Sequence, residues 1–217
     1  MKKIALIVAG GNGARMNSDI PKQFLMLKNK PILMHSIEKF VQFDKIVLVL
    51  PKAQTNYWQK LCLNYNFNIN HDIVDGGENR FQSVKKGLSY IGENSIVAIH
   101  DGVRPLISTK QINSLLSKVK KGIGVVPVVP VVDSIRKLEG KNISTNIDRS
   151  NLFKVQTPQC FLSSDIKKAY SQGHSRLFTD DSSVFESIGG KINTIMGEEE
   201  NLKITTKKDI KIASLFI

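Results

Sequence analysis

The sequence predicts an α/β protein in which a mainly parallel, twisted sheet carries helices on both faces. Continuous apolar segments of strand length alternate along the chain with segments whose apolar residues recur at helical spacing. A chain of 217 residues also suits one large domain better than two complete ones. We therefore predict a single domain over residues 1–217, with strands that are covered on both sides.

Each buried strand is predicted from a mostly apolar run, which prolines interrupt in the last of them. These runs occupy 4–8, 45–50, 95–100 and 124–132, and a shorter strand is expected within 69–75. Helices are predicted over 31–41, 55–65, 80–91 and 109–120. Strands and helices in alternation predict that the loops after the strand C-termini form the ligand crevice.

The alternation stops at residues 133–155, which are polar and contain short alternating segments such as SIRKLE and NIST. This pattern predicts a β-hairpin arm that protrudes from the domain and is not part of its core. Beyond the arm we expect helices near 164–171 and 181–188, a strand near 191–196 and a last helix from Lys208.

The composition narrows the classes of function. A formal net charge of +12 fits nucleic acid, an acidic membrane surface or small phosphorylated ligands. No aromatic-studded basic face or nucleic-acid-binding motif accompanies the charge, which argues against a nucleic-acid-binding domain. No apolar run approaches the ~18 residues of a membrane span, and the run from Ile4 to Ala9 is too short for a signal peptide. Two cysteines make no disulfide framework, so a reducing compartment is expected.

A glycine-rich loop follows the first strand, in VAGGNGARMNSDIPKQF (8–24). It is not a P-loop, because no Lys-Ser/Thr pair follows the glycines, and it lacks the third glycine of a dinucleotide fingerprint. Glycines here would let backbone N–H groups approach phosphate oxygens, and Arg15 and Lys22 would neutralise a triphosphate. The alternative is a tight turn with surface charges, and we favour the phosphate interpretation.

An acidic residue ends the strand at 95–100, in the motif HDGVRP. Asp101 occupies a position at which α/β enzymes hold a metal ion, so we predict a metal ligand there. The alternative is a carboxylate that caps a turn and pairs with Arg104.

Four further segments are weak signals when each is taken alone. DGGENRFQSV (75–84) is compatible with a plain strand–turn–helix junction, and NIDRSN (146–151) places Arg149 on the arm, where a solvated side chain is ordinary. TDDSSV (179–184) is compatible with a helix N-cap, and EEENLKITTKKD (198–209) with a solvated extended segment.

Taken together and in order, these segments resemble the family of 2-C-methyl-D-erythritol 4-phosphate cytidylyltransferases of non-mevalonate isoprenoid biosynthesis. The resemblance rests on AGGNGARM, PKQF, DGGENRFQSV, HDGVRP, VVDSI, DRSN, QTPQCF, TDDSS and NLKIT, which run through the whole chain. It implies a Rossmann-like nucleotidyltransferase fold. It also implies transfer of CMP from CTP to 2-C-methyl-D-erythritol 4-phosphate, giving 4-diphosphocytidyl-2-C-methyl-D-erythritol and pyrophosphate.

The nearest alternative is a ribitol 5-phosphate cytidylyltransferase, which shares the fold, the glycine loop and NLKIT. The runs Asp148-Arg149-Ser150 and Thr179-Asp180-Asp181 resemble the methylerythritol enzyme more. A catalytically inactive scaffold of the same fold is argued against by the presence of the expected site cations and of Asp101.

The resemblance implies roles for individual residues. The catalytic cations would be Arg15, Lys22 and Lys203. Mg²⁺ would be held by Asp101. The nucleotide would be bound by Ala9, Gly10, Gly11, Gly13, Ala14, Gly77, Glu78, Arg80 and Ser83. The sugar phosphate would face Arg104, Ser134, Arg149 and Thr179.

The resemblance also implies the partners of the protein. They would be CTP, a small polyol phosphate and a second copy of the chain, in a homodimer whose arm (133–155) crosses to the partner. Arg149 would then complete the neighbouring subunit's site. Neither nucleic acid nor a membrane is expected as a partner, and the expected location is the cytoplasm.

Overall fold

The computed structural model describes residues 1–11 and 20–217, and these form an eight-stranded sheet with helices on both faces. In chain order the strands are β1 (Lys2–Val8), β2 (Met26–Leu27), β3 (Lys30–Pro31), β4 (Lys45–Leu50), β5 (Asp72–Asp75), β6 (Ser95–Asp101), β7 (Ile123–Pro130), β8 (Ile135–Leu138), β9 (Ser144–Ile147), β10 (Phe153–Val155), β11 (Gln159–Leu162) and β12 (Lys191–Met196). The α-helices are α1 (Ile32–Glu38), α2 (Thr55–Asn64), α3 (Arg80–Ser89), α4 (Thr109–Lys118), α5 (Ser163–Tyr170), α6 (Asp181–Glu186) and α7 (Lys207–Ala213).

The main sheet has the strand order β10–β7–β11–β6–β1–β4–β5, and β12 also pairs with β7. β1 pairs in parallel with β4 and β6, β4 pairs in parallel with β5, and β12 pairs in parallel with β7. β10 and β11 are antiparallel to their neighbours. The prediction of a mainly parallel sheet is therefore confirmed, and the antiparallel strand β11 was not predicted.

Alternation along the strands divides the core into two layers. On one face of the sheet, Ala5 and Ile7 of β1 pack in a cluster with side chains of α1, α2 and α4. On the other face, Ile4 and Leu6 pack with side chains of α3, α5 and α6. A Cβ added to Gly87 would lie 2.4 Å from Leu6 Cδ1, so glycine lets α3 lie directly on β1. This close contact places the N-terminus of α3 beside the C-terminal end of β1.

The predicted hairpin arm is present but shorter than expected. β8 and β9 pair antiparallel from Ile135↔Ile147 to Leu138↔Ser144, away from the main sheet. The expected C-terminal boundary at residue 155 is wrong, because Phe153–Val155 pair with β7 inside the main sheet. Aromatic and β-branched residues favour a strand, and the end of β7 offers them an edge.

The remaining predicted strands and helices are observed with shifts of a few residues at their ends. No helix of residues 1–11 and 20–217 is long and apolar enough to cross a membrane.

Candidate functional site

A cavity of about 200 Å³ opens beside the C-terminal ends of β1 and β6 and the N-terminus of α3, where the parallel topology predicts a crevice. Its lining consists of Val8, Ala9, Gly10, Gly11, Lys22, Gln23, Gly77, Glu78, Asn79, Arg80, Ser83, Asp101, Val103 and Lys203. Most residues that were predicted to bind the nucleotide and the metal are thus brought together. Gly13, Ala14 and Arg15 lie outside the described residues.

The turn between β5 and α3 forms one wall of the cavity. Asn79 caps α3 through its side chain, which accepts a hydrogen bond from the N–H of Gln82. Ser83 Oγ donates to Asn79 O at 2.8 Å and accepts from the N–H of Gly77 at 3.0 Å. A Cβ on Gly77 would lie 2.3 Å from Gln82 Cβ, so the turn requires glycine. Because the hydroxyl hydrogen of Ser83 is used inside the turn, its oxygen can offer a further partner only an acceptor.

Among the described residues, three cationic side chains surround the carboxylate of Asp101 at the end of β6. Its Oδ2 lies 3.0 Å from Lys203 Nζ and 3.3 Å from Arg104 Nε, and its Oδ1 lies 3.8 Å from Arg80 Nε. Burial alone would raise the pKa of Asp101, but the charges of Lys203, Arg80 and Arg104 hold that pKa well below its usual range. The carboxylate is therefore ionised at neutral pH. The pairing with Arg104 that was considered as an alternative to a metal role is present.

The same carboxylate is the candidate ligand for a divalent ion. In the described part of the chain, no group of three or more His, Cys, Asp or Glu side chains could hold a metal by itself. Mg²⁺, however, is usually bound through one or two carboxylates together with substrate phosphates. A single ionised carboxylate in the wall of a cation-lined cavity therefore fits Mg²⁺ that arrives with a polyphosphate.

The segment before α7 brings Lys203 to Asp101. The next residue, Ile204, is fully buried and packs in a cluster with Leu27 and Val103. The N–H of Ile204 also donates to Val103 O at 2.9 Å. These contacts hold the Lys203 amine at the cavity wall, although its side chain is 40 % exposed. The structure thus favours the site interpretation of this segment over a solvated strand.

Arg104 is engaged mostly inside the protein. Its side chain is buried, and Nη1 donates to the backbone oxygen of Asn201 at 2.7 Å while Nε faces Asp101. His100 Nε2 donates to the backbone oxygen of Arg104 at 3.0 Å. Arg104 therefore ties β6 to the segment that carries Lys203. It is not among the side chains that line the cavity, and its contact with a sugar phosphate stays a prediction.

Asp181 is a part of the site that was not predicted. Its fully buried carboxylate accepts hydrogen bonds from both terminal nitrogens of Arg80, with Nη1–Oδ1 at 2.8 Å and Nη2–Oδ2 at 2.6 Å. The hydroxyl of Tyr170 donates to Oδ1 at 2.6 Å. The predicted N-cap of α6 is confirmed and belongs to Asp180, whose side chain accepts from the N–H of Ser183. Asp180 and Asp181 are adjacent and equivalent in sequence. Only the observed start of α6 shows that Asp180 caps the helix while Asp181 points to Arg80.

Three residues that were predicted to face the sugar phosphate do not line the cavity of the described chain. Ser134 and Arg149 are exposed on either side of the β8–β9 hairpin, and Thr179 is exposed just before α6. None of the three is among the side chains that line the cavity in the described part of one chain. Their roles stay predictions.

Comparison with known proteins shows similarity to one family over the whole chain. The profile described as 2-C-methyl-D-erythritol 4-phosphate cytidylyltransferase matches residues 3–217. A relative of that name from Azobacteroides pseudotrichonymphae is 49 % identical, over 100 % of this chain and 99 % of the relative. Another from Phocaeicola vulgatus is 46 % identical over 100 % of both chains. The crystal structure of a protein of the same name from Francisella tularensis matches with a TM-score of 0.84, at 29 % identity and over 100 % of both chains.

Proposed function

Since the chain belongs to the 2-C-methyl-D-erythritol 4-phosphate cytidylyltransferase family, we propose that it transfers CMP from CTP to 2-C-methyl-D-erythritol 4-phosphate and releases pyrophosphate. It is then a nucleotidyltransferase of isoprenoid precursor biosynthesis. The observation that carries this function is the convergence of Lys22, Lys203 and Asp101 with two glycine-containing loops in one cavity. Ribitol 5-phosphate as the acceptor is not favoured, because full-length relatives carry the methylerythritol name.

The chemistry needs no general base. The acceptor is a phosphate monoester, and its second pKa of about 6 leaves it largely ionised at neutral pH. The obstacle is that one anion must attack another, so the protein contributes mainly preorganised positive charge. Lys22 and Lys203 in the cavity wall, together with Arg15, would stabilise the charge of the transition state and of the departing pyrophosphate. Loss of one such contact costs roughly 3–4 kcal/mol of barrier.

The wall formed by the turn before α3 suits a cytosine base. Ser83 remains an acceptor after its hydrogen is used on Asn79 O. Cytosine presents an amino donor at the position where uracil presents a carbonyl oxygen. A Ser83 oxygen that can only accept therefore supports binding of CTP over UTP. Ala9, Gly10, Gly11, Gly77, Glu78 and Arg80 line the same cavity and would enclose the nucleotide.

We also propose Mg²⁺ as the cofactor, with Asp101 as its protein ligand. The ionised state of Asp101 and its place in the cavity support this role. When bound, Mg²⁺ would neutralise part of the triphosphate charge. Lys203 and Arg80, which flank the carboxylate, would bind phosphate oxygens beside it.

The acceptor site is proposed to be completed by a second copy of the chain. The β8–β9 hairpin projects from the main sheet and exposes Leu138 by 75 %, which a partner subunit would cover. An exposed Arg149 would reach the partner's site from such an arm and bind the acceptor phosphate with Arg104, Ser134 and Thr179. Mixing Arg149→Ala subunits, which we expect to use the acceptor poorly, with Lys22→Ala subunits, which we expect to be inactive, tests this arrangement. Activity should return if the arm crosses, and exchanged mixed dimers without activity would refute it.

A cytoplasmic location is proposed as well, and both cysteines of the structure are free thiols, as a reducing compartment would keep them. Cell fractionation followed by detection of the protein checks it.

The decisive experiment measures pyrophosphate release from CTP and Mg²⁺ with 2-C-methyl-D-erythritol 4-phosphate, in parallel with ribitol 5-phosphate and with UTP. We expect turnover with the first acceptor and CTP only. Equal turnover with ribitol 5-phosphate would overturn the acceptor assignment, and equal use of UTP would overturn the role given to Ser83. No release under any condition would overturn the proposed function.

A further inference from the structure

Two buried carboxylates compete for the guanidinium of Arg80. Asp181 accepts both Nη1 and Nη2 at 2.8 and 2.6 Å, whereas Asp101 lies 3.8 Å from Nε. The two terminal nitrogens of Arg80 (its fork) are therefore both bonded to Asp181, and only Nε faces Asp101. A guanidinium forms its strongest bond to a carboxylate through two parallel N–H groups, so these two positions are not equivalent.

The surroundings of Asp181 explain why it holds the fork. The carboxylate is fully buried, and Tyr170, itself buried, donates to the same Oδ1 that receives Nη1. Burial, and then the charge of Asp181, raise the pKa of Tyr170 well above its usual range, so this hydroxyl stays a donor. A buried carboxylate that lost its cation would be costly, which fixes the pair in place.

We propose that Asp181 is a positioning residue that holds the Arg80 fork away from Asp101 and so leaves that carboxylate available to Mg²⁺. The inference rests on the proposed function, because it concerns the metal that accompanies CTP. Without Asp181, the nearest carboxylate to the freed guanidinium in the described part of the chain is Asp101, which lies 3.8 Å from its Nε. A bidentate Arg80–Asp101 pair would then compete with Mg²⁺ for the carboxylate oxygens of Asp101.

The test measures metal coupling without turnover. CTP binding is followed by calorimetry in the absence of acceptor, once with EDTA and once with saturating Mg²⁺, and the ratio of the two dissociation constants is the coupling. Asp181→Asn should lower the coupling about tenfold, the size expected for one charged hydrogen-bonded pair. The dissociation constant with EDTA should change less than about threefold, since the cationic cavity itself is kept. A merely structural role for Asp181 would weaken CTP binding under both conditions.

Two further variants separate positioning from a general loss of charge. Asp180→Asn removes the same charge one residue earlier, and Asp180 caps α6 without contacting Arg80 in the described structure, so its coupling should equal that of the wild type. In an Arg80→Gln background the Arg80 guanidinium is no longer present to capture Asp101, and the Arg104 contact is the same in both variants. There, Asp181→Asn should leave the coupling unchanged.

The outcomes are decisive in each direction. A wild-type protein that does not bind CTP would overturn the proposed function and this inference with it. A wild type that binds CTP, with unchanged coupling in folded Asp181→Asn, would overturn the inference alone. So would an equal loss of coupling in the Arg80→Gln background. If Asp181→Asn does not fold, Tyr170→Phe removes a single bond to the same carboxylate, and coupling lowered about twofold would support the inference while unchanged coupling would overturn it.

Discussion

Replacing Lys203 by alanine should slow the reaction strongly while changing the stability of the fold very little. The amine lies 3.0 Å from Asp101 Oδ2, but its side chain is 40 % exposed, and Arg104 and Arg80 still flank the carboxylate when it is removed. An ion pair this exposed contributes at most about 1 kcal/mol to folding. If the amine stabilises the transition state, its loss raises the barrier by about 3–4 kcal/mol, or 10²–10³ in rate.

The assay is pyrophosphate release under saturating substrates, with urea unfolding of the same preparation. Lys207→Ala is the matched control, because it removes one charge from an exposed position on α7. We expect Lys207→Ala to match the wild type in both measurements. A Lys203→Ala protein that keeps turnover within about threefold would refute the proposed electrostatic role. If Lys203→Ala lowered the free energy of unfolding by several kcal/mol, the small stability contribution assigned to the Lys203–Asp101 pair would be wrong.

Two further predictions concern folding. Burial lowers the pKa of His100 to about 4, so between pH 6.5 and that value the unfolded chain binds a proton that the folded chain does not. Stability should therefore fall as the pH falls through this window, by up to about 3 kcal/mol, and His100→Gln should flatten the pH dependence of urea unfolding; an unchanged slope would contradict the assignment. Gly124→Ala should cost about 1–3 kcal/mol, because its Cβ would lie 2.3 Å from Phe161 Cε1. Gly92→Ala, whose Cβ meets nothing within 4 Å, should be close to neutral, and equal melting temperatures for both variants would show that the packing argument is wrong.

The parts of the fold that periodicity determines were predictable. The apolar runs at 45–50 and 95–100 match β4 and β6 almost residue for residue, because strands covered on both faces consist of nearly continuous apolar residues. β11 was not predicted, because QTPQCF joins two glutamines and a proline to a short apolar end. In the structure, Gln159 is nonetheless almost fully buried, since its amide donates to Asp180 and accepts from the N–H of Ser182.

The candidate site was predictable where a side chain follows a strand or a glycine turn. Asp101 and Ser83 are of this kind, since their positions depend on local chain geometry. Asp181 could not be found in this way. Its partner Arg80 is 101 residues away, and a contact over such a separation depends on how α3 and α6 pack. The arm was predicted to end at 155 because polarity alone does not reveal which residues rejoin a sheet.

The position of β11 also constrains the order in which the domain can be assembled on the ribosome. One edge of β6 is paired by β1, which is synthesised earlier, but its other edge must wait for β11. β7 and the whole hairpin are made in the interval. During that interval the nascent chain presents an apolar strand with unpaired backbone groups, a template for association with other chains. Breaks or insertions between β7 and β11 should therefore reduce soluble yield far more than changes of equal length before β5.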